Sequence, residues 1–142
     1  MSLLRKLLEK EKARELQDQD FGPLRQIKDR WEGQSLSLWG VSGIQILIDA
    51  GDDGPSVEQR EFFRTLREQR PDIRGRVEEA VSARAAETTT VRPIALRLSS
   101  LDIPRIQPHF TWRIWYDIQG EEHYWYGAEI TDWDQIVPFT ED

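Results

Sequence analysis

The stretch that most constrains the fold runs from His109 to Asp142. Residues 110–118 alternate: Phe110, Trp112, Ile114, Tyr116 and Ile118 share one parity, and Thr111, Arg113, Trp115 and Asp117 the other. A two-residue period built from aromatic and β-branched side chains is a strand signal. Gln119-Gly120-Glu121 breaks it, and Glu122–Ile130 resumes with Tyr124, Tyr126, Ala128 and Ile130 on one parity and His123, Trp125 and Glu129 on the other. Directly opposed residues of an antiparallel pair share a face, so an odd slip would turn one apolar set outward. A three-residue loop then sets Trp112 opposite Ala128, Ile114 opposite Tyr126 and Tyr116 opposite Tyr124. On the second face it sets Trp115 opposite Trp125 and Asp117 opposite His123, with Arg113 diagonal to Glu129.

That second face leaves two readings open. A helix covers it, as it covers most aromatic stripes. Alternatively it is a partner-binding patch, since Trp and Arg are enriched at interface hot spots and large exposed apolar patches mark interaction sites.

The same region holds the charge. After Arg113 the chain has no Lys or Arg, but it has Asp117, Glu121, Glu122, Glu129, Asp132, Asp134, Glu141 and Asp142. The whole chain carries 19 basic and 26 acidic residues, a net of −7, so its negative balance comes entirely from these last residues. Such an excess argues against binding to nucleic-acid phosphates and suits a basic partner. The absence of cysteine excludes disulfides and thiolate metal sites, as in a reducing cytoplasm, where the protein is expected. No apolar run approaches the ~20 residues that span a membrane. Arg5, Lys6, Glu9, Lys10 and Glu11 break any signal-peptide core. The sequence leaves the oligomeric state open.

Ser2–Gln17 reads as a helical leader with Leu3, Leu4, Leu7 and Leu8 in a stripe, so residues 1–20 are set apart from a domain over 21–142. Asp20-Phe21-Gly22 spells the kinase magnesium motif, but nothing else of a kinase accompanies it. Leu24–Lys28, Trp31–Trp39 and Ile44–Asp49 read as a three-stranded meander. A loop at Val41-Ser42-Gly43 would pair Leu38 with Ile46 and Leu36 with Ile48. Asp49-Ala-Gly-Asp-Asp-Gly54 fails as a calcium loop: its third position is Gly51 and its twelfth is Arg60. Ser56-Val-Glu-Gln59 fits a capping box opening a helix over Val57–Gln69. A second helix over Asp72–Ala86 presents Ile73, Val77, Ala80 and Val81, and the pair should cover one face of the sheet. Glu87–Pro93 is a loop. A strand is expected near Leu101–Ile103, Ile94–Leu98 reads equally as a strand or a helical turn, and Trp133–Phe139 is a last strand.

Catalytic chemistry is thinly represented. His109 and His123 are the side chains that titrate near neutral pH, and His123 has Asp117 as its expected cross-strand carboxylate. No hydroxyl nucleophile stands beside them, no metal-ligand spacing joins them, and no Gly-rich phosphate cradle exists. No catalytic residue, metal or cofactor is therefore assigned.

The order Asp20-Phe-Gly-x-Leu24, Trp31-x-Gly33, an Ile-rich strand with an acidic turn, then Pro55-Ser-x-Glu-Gln59-x-x-x-Phe63 on a helix resembles a family of uncharacterised small bacterial domains. The resemblance runs from about Phe21 to the C-terminus and departs from the pattern at 94–106. It implies an α+β architecture, a helical pair on a sheet. By analogy with other small acidic bacterial domains it implies an immunity or antitoxin-type inhibitor of a toxin-like basic protein.

The expectation is thus an α+β domain: an antiparallel sheet made of a three-stranded meander, an αα-hairpin and three or four further strands, with helices on one face. The expected activity is non-enzymatic protein binding. Trp115 and Trp125 would be anchors, His123 would lie beside them, and Asp117, Glu121, Glu122, Glu129, Asp132 and Asp134 would steer a basic partner. The alternative is a small hydrolase or metal-dependent enzyme using His123, His109 and nearby carboxylates.

Overall fold

The computed structural model describes residues 14–142. Among the described residues the chain is α+β: one eight-stranded sheet and two helices. The strands are β1 (Glu15–Asp18), β2 (Gly22–Ile27), β3 (Arg30–Leu38), β4 (Val41–Asp49), β5 (Leu96–Ile103), β6 (Thr111–Ile118), β7 (Trp125–Thr131) and β8 (Gln135–Glu141). The helices α1 (Val57–Glu68) and α2 (Pro71–Ala86) lie between β4 and β5.

Strand order in space follows order in sequence. Every neighbouring pair is antiparallel except β4–β5, where Gln45, Ile46, Leu47 and Ile48 run parallel to Ser100, Leu101, Asp102 and Ile103. The sheet is therefore mixed rather than antiparallel throughout. The physical reason is the helical pair: parallel neighbours need a crossover connection of a dozen or more residues, and α1–α2 supplies it.

Most of the expected leader helix lies outside the described residues. Its last residues, Glu15–Gln17, are strand, and they pair with Arg25, Leu24 and Pro23 of β2. The sheet thus begins ahead of Phe21, and its first half has four strands.

One face of the sheet is the core. Leu24, Trp31, Leu36, Leu38, Ile44, Ile46, Ile48, Leu101, Ile103, Trp112, Ile114, Tyr116, Tyr126, Ala128 and Ile130 are all buried there. Phe62, Phe63 and Leu66 of α1 and Ile73, Val77, Val81 and Ala85 of α2 close over them, the latter at four-residue spacing on one helix face. The capping box forms as read: Gln59 N–H donates to Ser56 Oγ and Ser56 N–H donates to Gln59 Oε1. Buried Gln59 does more. Its amide donates to the carbonyls of Asp49 (2.8 Å) and Pro104 (2.9 Å), tying the first turn of α1 to the ends of both parallel strands.

Two arginines four apart on α1 grip two aspartates, one at the end of β1 and one in the turn after it. Arg60 donates twice to Asp18 and Arg64 twice to Asp20. Burial opposes ionisation of Asp18, but Arg60 and the backbone N–H groups of Phe21 and Asp20 outweigh it and hold its carboxyl below the usual range.

Two hairpin turns clamp the junction of the helices, each with a tryptophan in the left-handed region. Trp39 (φ 53°) and Gly40 (φ 80°) make the β3–β4 turn, while Asp132 (φ 51°) and Trp133 (φ 70°) make the β7–β8 turn. Trp39 donates to the Leu66 carbonyl and its own carbonyl accepts from Arg74. The Trp133 ring stacks on Phe62 at 5.0 Å, and its carbonyl accepts from Arg76. Packing thus offsets the ~1–2 kcal/mol cost of a left-handed L-residue. This placement also corrects the expected Val41–Gly43 loop: Leu36 faces Ile44, not Ile48, and Leu38 faces Val41, not Ile46.

Candidate functional site

The β6–β7 pair keeps the expected face parity but shifts by two residues. Trp112 faces Ile130, Ile114 faces Ala128, and Tyr116 faces Tyr126. On the second face Trp115 faces Gly127, not Trp125, and Arg113 faces Glu129 directly, with an ion pair between them. Asp117 does not face His123; its partner in register is Arg97 of β5.

Gly127 makes room for this register. A Cβ there would stand 2.5 Å from the Ile114 carbonyl oxygen and 2.7 Å from the Phe139 ring. Because position 127 has no side chain, Trp115 of β6 and Phe139 of β8 meet edge-on across β7, with centroids 4.8 Å apart. The Arg113 guanidinium lies over the Phe139 ring.

Both described helices lie on the other face, and no described element covers this one. Trp125 is 63% exposed and Val137 59% exposed, while Trp115 and Phe139 are half-buried. Trp115 donates its indole N–H to Asp102 Oδ2 at 3.2 Å. Burial pushes the Asp102 carboxyl up, against the Trp115 hydrogen bond and the fields of Arg113 and Arg30. In cross-strand rows the face reads Arg97–Asp117, then Gln45–Ser100–Trp115–Gly127–Phe139, then Leu47–Asp102–Arg113–Glu129–Val137. Trp125 faces Glu141. A cleft of about 370 Å³ opens here, lined by Gln45, Ser100, Trp115, Asp117, Trp125 and Glu141 among others.

Of the residues read from sequence, Trp115, Trp125, Asp117 and Glu129 share this face. The others do not gather with them. Glu121 folds back at the β6–β7 turn: Thr89 holds its carboxyl below the usual range, helped, against slight burial, by the Tyr126 hydroxyl and the N–H groups of His123 and Glu122. Glu122 and His123 are exposed in the same turn. Asp132 and Asp134 belong to the β7–β8 turn at the opposite end of β7, where Asp132 meets His109 at 2.9 Å and the Asp134 carbonyl accepts from Arg76. His109 and His123 therefore sit at opposite ends of a strand pair on the order of 25 Å long. Among the described residues no three His, Asp or Glu side chains gather as a metal site. The expected pairing of the histidines in a shared site is corrected by this geometry.

Phe139, Glu141 and Ser100 complete the face, and sequence reasoning did not assign them to it. The signal was Gly127: an isolated glycine within a strand marks a close approach by a neighbour.

Comparisons with protein-family models, curated proteins and solved structures found no match. No helix among the described residues is long and apolar enough to cross a membrane.

Proposed function

We propose that the protein is a non-enzymatic protein-binding domain that docks a basic partner on the open face of β5–β8. The observation that carries this reading is Trp125, 63% exposed on a sheet face that no described element covers, beside half-buried Trp115 and Phe139. An indole left in water costs free energy that a folding role would recover by burial. Fully desolvated Trp is the side chain on which interfaces most depend. Asp117 and Glu141 supply acidic groups on the same cleft. An immunity or antitoxin-type inhibitor of a toxin-like basic protein, acting in the cytoplasm, is the form of this function that the resemblance of the Phe21–Phe63 motifs implies.

The steering residues change with the geometry. Asp117 and Glu141 flank the anchor, Glu129 is neutralised by Arg113, and the acids of the two turns contribute only at long range, where salt screens them. Affinity capture from the native host, with wild type and Trp125→Ala in parallel at low and high salt, tests the reading. A basic protein retained by wild type and lost in both the variant and high salt is the expected result. Equal retention by a folded Trp125→Ala protein would remove the docking surface.

A further inference from the structure

We propose that the open-face cleft grips the guanidinium of an arginine side chain presented by the basic partner. The proposal rests on the docking reading above and specifies what that surface holds.

The chain's own arginines show the chemistry. Among the described residues four guanidinium groups lie over aromatic rings: Arg67 over Phe63, Arg70 over Trp133, Arg74 over Trp39 and Arg113 over Phe139. Each of the four also pairs with a carboxylate, of Glu68, Asp72, Glu78 and Glu129 respectively. A planar guanidinium uses both at once, its face on the ring and its edge on the carboxylate.

Trp125 offers the same combination without an arginine of this chain over its ring, among the described residues. Its ring is the most exposed aromatic on the face. Glu141 stands directly across from it on β8, and Asp117 shares its cleft from β6. Arg97 faces Asp117 in register, and no ion pair joins the two among the described residues. Ser100 and Gln45 add neutral polar groups to the lining. Two carboxylates against one arginine leave the cleft complementary to positive charge. A lysine ammonium would satisfy the carboxylates but, being compact and strongly hydrated, would gain less from the flat indole.

The test uses the full chain, ¹⁵N-labelled, titrated with a blocked Gly-Arg repeat peptide and its lysine and citrulline counterparts while the tryptophan indole N–H resonances are followed. The arginine peptide should shift the Trp125 resonance saturably. The lysine peptide should bind about three-fold or more weaker, and the citrulline peptide, which keeps the shape and loses the charge, should show no saturable shift. Asp117→Asn and Glu141→Gln should each weaken the arginine peptide by roughly five-fold. Equal binding of all three peptides, no saturable shift of Trp125, or shifts confined to the turn residues Glu121, Glu122, Asp132 and Asp134 would overturn the proposal. The captured basic partner separates the two levels. If Trp125→Ala loses it while the Asp117→Asn/Glu141→Gln double variant holds it undiminished, the docking surface stands and the arginine assignment falls. If both variants hold it, both fall.

Discussion

Trp112 and Trp115 stand on the same strand, and the sheet assigns them to different physics. Trp112 points into the helix-covered face, is fully buried, and packs against Phe62 and Trp133. Its indole N–H is buried with no hydrogen-bond partner among the described residues. Trp115 points to the uncovered face, keeps its N–H bonded to Asp102, and lies edge-on to Phe139. The covered face sacrifices a polar group to obtain close packing. The open face keeps the Trp115 N–H bonded and leaves apolar area in water. The first is the pattern of a core held by volume, and the second is what the docking surface proposed above requires.

Substitutions can break that contrast or sharpen it. The largest effect is expected from Trp112→Ala, which should cost about 3–5 kcal/mol in denaturant unfolding. Trp112→Phe keeps much of the packing and removes the orphaned N–H, whose burial costs about 1–3 kcal/mol, so its loss should be far smaller. A Phe variant as damaging as Ala would show that the N–H has a partner. Next comes Gln59→Leu, which strips the Asp49 and Pro104 carbonyls and the Ser56 N–H of their partner. A loss of about 2–3 kcal/mol is expected by the same unfolding measurement. Gly127→Val is third: its side chain would collide with Ile114 and Phe139, for an expected loss of about 1–3 kcal/mol together with a changed Trp115 environment in near-ultraviolet circular dichroism.

Acid should weaken the first half of the molecule through Asp18. Its folded-state pKa lies below the ordinary aspartate value of about 3.9, so its stabilising contribution is complete above that value and is lost as pH falls through the folded-state pKa. The stability gap between wild type and Asp18→Asn should therefore narrow as pH drops below about 4 in urea titrations. A gap that stays constant to low pH would contradict the assignment. The smallest stability effect belongs to Trp125→Ala, expected within about 0.5 kcal/mol of wild type, although partner binding should be lost. A Trp125→Ala protein that unfolds easily would make the open face a second core.

What the sequence made legible was local. Helices α1 and α2 and the Ser56–Gln59 capping box follow from short-range spacing, and face parity placed Trp115 and Trp125 together. Register was not legible, because a shift of two residues preserves parity. Trp112 facing Ala128 or Ile130 presents the same pattern, and the close approach at Gly127 belongs to the observed register. Pairing between distant segments was hidden as well, so the parallel β4–β5 contact had no sequence signal. The open site was incomplete because the last strand read as ending at Phe139, while β8 continues to Glu141. The residues that carried the family resemblance all have jobs in the fold. Phe21 packs on Phe63, Trp31 donates to the Gly51 carbonyl, and Gly33 lets the Pro23 backbone come close. Gln59 pins α1. Such motifs report architecture, which is why they point to a fold more readily than to a partner.

The parallel seam has a consequence for the order of assembly. β1–β4 and β5–β8 are each chains of neighbouring antiparallel strands that can zip from local turns. The seam joins residues as far apart as Gln45 and Ser100, and closing a loop of that length costs on the order of 3 kcal/mol more in chain entropy than closing a two-residue turn. If α1 and α2 dock on each other first, the loop becomes a short rigid bridge and much of that cost disappears. The helical pair that roofs the core would then also set the folding rate. Pulse-labelled hydrogen exchange would test this, with α1 and α2 amides expected to gain protection before those of Ile46 and Leu101; the reverse order would rule it out.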